Sequence, residues 1–167
     1  MGEDSGDFAG RALWGGDLDG DGLGDVLVGA DGEDVGGSEA GAVYFLSGPP
    51  SGTVDLSLAD GKLVGEASGD SAGYSLWGGD LDGDGYGDVL VGADGEDAGG
   101  PSAGAVYFVL GTPSGTVDLA TATAKLVGEA SGDSAGFSLW GGDLDGDGSG
   151  DVLVGADGED AGGPSAG

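Results

Sequence analysis

The chain repeats itself every 63 residues without a gap. Trp14, Trp77 and Trp140 coincide under that offset, as do Gly29, Gly92 and Gly155, and residues 64–104 differ from 127–167 only at Tyr74/Phe137 and Tyr86/Ser149. Such a sequence is a repeat array, in which one supersecondary unit recurs and is stacked on its neighbours.

Within each unit the most informative stretch is Asp17-Leu18-Asp19-Gly20-Asp21-Gly22-Leu23-Gly24-Asp25, which returns at Asp80–Asp88 and Asp143–Asp151. Carboxylates at positions 1, 3, 5 and 9 of a short Gly-rich turn converge, and the carbonyl of position 7 can complete the all-oxygen shell that Ca²⁺ prefers. Gly at position 6 permits the sharp turn. Without a cation, four carboxylates held this closely would repel one another. The first six positions match an EF-hand, but an EF-hand needs a bidentate Glu at position 12 and a helix on either side. Position 12 here is Val28, Val91 or Val154, inside Val-Leu-Val runs that favour strand. The loop is therefore expected on a β-hairpin.

Charge narrows the function classes. The chain carries 32 acids against three bases, Arg11, Lys62 and Lys125, for a net charge of −29. Such a surface repels nucleic acid and anionic membranes and attracts cations. Three bound Ca²⁺ would bring it to about −23. There is no Cys, hence no disulfide framework, and no His. With both absent, the common general bases and nucleophiles are missing, and acids that recur with the repeat do not mark an active site, so no enzymatic role is expected. Extracellular calcium modules work at Kd values of roughly 10⁻⁴ to 10⁻³ M, which points to the cell surface or exterior. Met1 leads straight into Gly2-Glu3-Asp4, so any export signal is expected outside this chain, and no apolar run is long enough to cross a bilayer.

Four strands per unit are predicted. The first covers about 12–18, the second about 25–30, the third about 41–47 and the fourth about 62–67. The third, Gly-Ala-Val-Tyr-Phe-Leu-Ser, reads as a strand buried on both faces. Residues 48–61 carry the turn signal Pro49-Pro50-Ser51-Gly52 and are expected to be irregular, with a short helical turn near 57–60. Four strands per repeat around an aromatic-bearing sheet suggest a propeller blade.

In the second unit, Gly73-Tyr74-Ser75, then Gly79 to Asp88, then Val91-Gly92-Ala93 and Gly104-Ala105-Val106-Tyr107 form an ordered set. It resembles the FG-GAP repeat of integrin α-subunit propellers and their bacterial relatives, over essentially the whole chain. The chain departs from that pattern in having Ala-Gly for Phe-Gly at 9–10, 72–73 and 135–136, and Gly-Ala-Asp for Gly-Ala-Pro at 29–31, 92–94 and 155–157. The resemblance implies an all-β, partial β-propeller of four-stranded antiparallel blades, with the aspartate loop joining the first two strands of each. It also implies about three Ca²⁺. The implied ligands are Asp17, Asp19, Asp21, Leu23 and Asp25; Asp80, Asp82, Asp84, Tyr86 and Asp88; and Asp143, Asp145, Asp147, Ser149 and Asp151.

On this reading blade 1 covers residues 1–68, blade 2 covers 69–131, and blade 3 covers 132–167 and holds only its first two strands. About two and a half blades do not close a ring of roughly 4 to 8. Further blades from a longer chain or from homo-oligomerisation are expected. The implied role is a rigid extracellular scaffold for adhesion or ligand binding, with a protein or glycan partner. The alternative is a purely structural or spacer repeat of a larger secreted protein, with any enzyme domain outside this chain, and the near-identity of the loops favours such a scaffold role. Three further expectations follow. The acidic loops at 31–34, 94–97 and 157–160 are read as solvated, the three tryptophans as sheet packing, and Arg11, which stands where other units have Tyr74 and Phe137, as an adaptation of the first blade to an end or to a different neighbour.

Overall fold

A computed structural model describes residues 2–159. The part of the predicted third blade at 160–167 lies outside them. The protein is all-β, a partial propeller built from three consecutive sheets. In the first unit β1 is Leu13–Gly16, β2 Asp25–Ala30, β3 Ala42–Leu46 and β4 Gly61–Val64. In the second, β5 is Ser75–Gly79, β6 Asp88–Ala93, β7 Ala105–Val109, β8 Gly115–Asp118 and β9 Ala124–Val127. The third begins with β10, Ala135–Gly142, and β11, Asp151–Ala156.

Strands pair antiparallel in chain order within each unit. Leu13 faces Val28, Val28 faces Tyr44, and Tyr44 faces Lys62; the same register returns in the second unit, where Val91 faces Tyr107 and Tyr107 faces Lys125. The predicted helical turn is a short 3-10 segment, Leu56–Leu58, capped by the Asp55 carboxylate, which accepts the Ser57 N–H at 3.1 Å.

One departure from expectation ties the units together. The connection between β7 and β9, predicted irregular, contains β8, which leaves its own unit and pairs in parallel with β4 of the first. Gly61 lies opposite Gly115 and Val64 opposite Asp118. The first sheet is thus β1-β2-β3-β4-β8, with five strands, and the second β5-β6-β7-β9, with four. The predicted fourth strand also ends early, at Val64 and Val127.

Burial follows position in the stack and not sequence. β2, β6 and β11 are all Asp-Val-Leu-Val-Gly-Ala, yet β6, between two neighbours, is buried throughout, β2 leaves Val26 and Val28 half-buried, and β11 is buried nowhere. The largest core runs between the first two sheets, through Leu27, Val43, Leu63, Val89, Val91 and Tyr107. Two of the three tryptophans pack as expected. The Trp14 ring lies over Gly78 of the next sheet, where a Cβ would come within 3.0 Å of it, and Trp77 lies over Gly141 in the same way. Trp140, beyond the second complete sheet, remains 48% exposed. Gly29 and Gly92 permit the closest approach of the sheets: a Cβ on either would run into the carbonyl of Gly73 or Gly136.

Candidate metal centres

Each aspartate loop connects the first two strands of its unit, as predicted. Two tight reversals shape it, since Gly20 and Gly22 adopt φ of 78° and 84°, and Gly146 and Gly148 adopt 79° and 90°. Such left-handed backbone at positions 4 and 6 explains the D-G-D-G spelling. The loop then binds its own amides. Asp17 accepts the N–H of Gly20 at 2.8 Å and of Gly22 at 3.0 Å, and Asp80 and Asp143 repeat the pattern.

Three of the four predicted carboxylates come together in every loop. One oxygen each from Asp17, Asp19 and Asp25 lie within 4.8 Å of one another, as do those of Asp80, Asp82 and Asp88 and those of Asp143, Asp145 and Asp151. Asp21, Asp84 and Asp147 stand outside that group. One oxygen of each accepts the backbone N–H of position 7, from Leu23 at 2.7 Å, Tyr86 at 2.8 Å and Ser149 at 2.7 Å. The donor set is entirely oxygen and entirely anionic or carbonyl, which fits a hard divalent cation and no soft metal.

The last aspartate differs from the others in being buried. Asp25 and Asp88 are each 1% exposed. One Asp25 oxygen accepts the N–H of Leu18 at 2.7 Å and of Asp19 at 3.2 Å, while the other accepts that of Gly48 at 2.7 Å. Asp88 is held likewise by Leu81 and by Gly111, at 2.8 and 2.7 Å. Gly48 and Gly111, just past the third strand, were invisible in the aspartate motif. They fix the carboxylate's direction as an outer-shell donor does. Asp151 takes its amides from Leu144 at 2.8 Å and Asp145 at 3.3 Å.

The second acidic loops correct an expectation. Glu33 and Glu96, read from sequence as solvated, are each 4% exposed. Lys62 binds Glu33 at 2.9 Å and Glu3 at 2.5 Å, and Lys125 binds Glu96 at 2.6 Å and Glu66 at 2.7 Å. Each ammonium also sits 5.0 Å from a tyrosine ring, that of Tyr44 or Tyr107. Burial alone would lower the lysine pKa, but the hydrogen bonds that each ammonium donates to its two glutamates outweigh it and hold both ammoniums above the ordinary range. A sequence clue existed: two of the three bases recur at the repeat offset. At the first residue of the same loops, desolvation raises the Asp31 and Asp94 carboxyls.

Arg11 faces an aromatic ring of the next unit, as its counterpart Tyr74 does. Its guanidinium lies 3.9 Å over the Tyr74 ring, and Tyr74 in turn contacts Phe137 at 5.2 Å between centroids. Its charge faces Asp31 at 3.4 Å.

A model of the FG-GAP repeat matches this chain twice, at residues 9–46 and 72–109. Each match runs from the Ala-Gly before the first strand, through the aspartate loop, to the end of the third. The chain belongs to the FG-GAP repeat family. Integrin alpha-PS2 of Drosophila melanogaster is 36% identical over 169 residues, covering 93% of this chain and 12% of that protein. Integrin alpha pat-2 of Caenorhabditis briggsae is 38% identical over 118 residues, covering 68% of this chain and 9% of that protein. This FG-GAP array thus spans about a tenth of the curated relatives it matches. Among its described residues no helix is long and apolar enough to cross a membrane.

Proposed function

We propose that this chain is a calcium-braced segment of a propeller scaffold working outside the cell or at its surface, with blades at 1–68, 69–131 and 132–167. The observation that carries this reading is the convergence of three carboxylates in each of three hairpin loops. Asp17, Asp19, Asp21, Asp25 and the Leu23 carbonyl hold the first ion, with the residues 63 and 126 positions later holding the second and third. Asp21 keeps a second oxygen for the metal while its first holds the Leu23 amide. The ion's work is electrostatic: it offsets the mutual repulsion of the carboxylates and pins β1 to β2, β5 to β6 and β10 to β11.

The scaffold serves adhesion or ligand binding in an assembly larger than this chain, for a protein or glycan partner and not a nucleic acid. Support comes from the integrin relatives and from a charge of −29. Thermal melts in EDTA, in millimolar Ca²⁺ and in millimolar Mg²⁺ test the metal. Each site at tenfold excess over Kd adds about 1.4 kcal/mol. Mg²⁺, which demands tighter octahedral geometry, stabilises less. Equal midpoints in all three buffers would overturn the reading.

A further inference from the structure

The calcium loops of successive units touch, and the contact runs through one residue. Leu18, position 2 of the first loop, is fully buried. Its N–H donates to Asp25 at 2.7 Å, and its carbonyl accepts the N–H of Gly87 at 2.8 Å and the hydroxyl of Thr112 at 3.0 Å. Both donors to that carbonyl belong to the second loop's surroundings. The Gly87 N–H shares a peptide group with the Tyr86 carbonyl, the position-7 ligand assigned above, and Gly87 directly precedes Asp88. Thr112 directly follows Gly111, whose N–H holds Asp88 at 2.7 Å. The peptide carrying the Leu18 carbonyl also carries the Asp19 N–H, which donates to Asp25 at 3.2 Å. Two routes therefore connect the last aspartate of loop 1 with ligands of loop 2: through the peptides Leu18–Asp19 and Tyr86–Gly87, and through Leu18, Thr112 and Gly111.

We propose that loops 1 and 2 bind Ca²⁺ with positive cooperativity, with Leu18 and Thr112 as the positioning residues that couple them. This rests on the calcium reading above. A cation drawing on the Tyr86 carbonyl polarises its peptide and makes the Gly87 N–H a stronger donor to Leu18. Ordering of Leu18 in turn sets the amides that aim Asp25, so the second ion meets a loop whose ordering cost has already been met. The space is tight as well as bonded, because a Cβ on Gly87 would come within 2.5 Å of the Leu18 side chain. Between loops 2 and 3 the Leu81 carbonyl likewise accepts the Gly150 N–H, at 3.0 Å.

The test is a double-mutant cycle on the calcium binding of the whole chain, read by isothermal titration. Loop 1 is disabled by Asp19→Asn with Asp21→Asn, loop 2 by Asp82→Asn with Asp84→Asn, and then both together. The product of binding constants in the four proteins yields the coupling between the two loops. The expected coupling is about fivefold or more. Thr112→Val, which removes the hydroxyl and keeps the shape, is expected to lower it while leaving three bound ions, and circular dichroism verifies that the fold is kept. Loops that bind independently, or a coupling untouched by Thr112→Val, would overturn the proposal with the calcium sites intact. No calcium heat in the parent chain would overturn the site assignment itself.

Discussion

Lys125 in the second unit binds Glu96 at 2.6 Å, and the glutamate end of that pair is buried to within 4% of its surface. Glu96 spends its other oxygen on the Ala98 N–H at 3.0 Å, so both carboxylate oxygens are engaged. Its removal leaves a half-compensated ammonium against Tyr107. Glu96→Ala is expected to cost about 2 kcal/mol in urea unfolding, less than the roughly 3–5 kcal/mol of breaking a buried pair because Glu66 remains. Glu129→Ala, at the exposed position equivalent to Glu66, is expected to stay within about 0.5 kcal/mol of the parent. Similar losses in both variants would contradict this assignment.

Asp70 makes stability depend on pH in the opposite sense from most acids. Burial first, and then the charges of Glu96 and Glu66, push its carboxyl up to about 6, against the pull of the Ala67 N–H and Lys125. Between about 4, where the unfolded chain titrates, and 6, the folded state binds the extra proton. The contribution is therefore present at low pH and is lost as pH rises through 6. Asp70→Asn retains an acceptor for the Ala67 N–H, 3.0 Å away. It is expected to exceed the parent by about 1 kcal/mol at pH 7.5, after allowance for solvent screening, and to match it near pH 4. A difference independent of pH would refute the assignment.

The stacking of sheets predicts unequal tryptophans. Trp77 packs on Gly141 of the following unit, whereas Trp140, at the same repeat position, is 48% exposed. Trp77→Ala is expected to cost about 3 kcal/mol and Trp140→Ala less than about 1 kcal/mol. Chemical denaturation of the two variants settles the comparison, and equal costs would argue against the stack.

How much of this was legible in the sequence depends on whether the deciding interaction lies within a unit. The second strand, its Val-Leu-Val run and the aspartate hairpin follow from local chemistry, and the second strand has the predicted limits of 25–30. β8 does not. Gly-Thr-Val-Asp occurs at 52–55 and again at 115–118, and only the second copy is a strand, because only it has a β4 to pair with. The burial of Glu33 and Glu96 was hidden for a related reason. An acidic Gly-rich tetrapeptide reads as solvated until the lysine facing it, 29 residues away in both units, is brought across the sheet. In the aspartate loops, spacing alone pointed to convergence of positions one, three, five and nine, and the first, third and ninth come together. The amides of Gly48 and Gly111 that orient the ninth were not legible, since they belong to a different connection.

The central claim is that each aspartate loop holds one calcium ion, and counting ions tests it most directly. Equilibrium dialysis against Ca²⁺ at ten times Kd, with metal measured by atomic emission, is predicted to give about three ions per chain, and about two in a chain carrying Asp82→Asn with Asp84→Asn. A parent chain that retains no calcium, or a count that does not change when the second loop is disabled, would contradict the account.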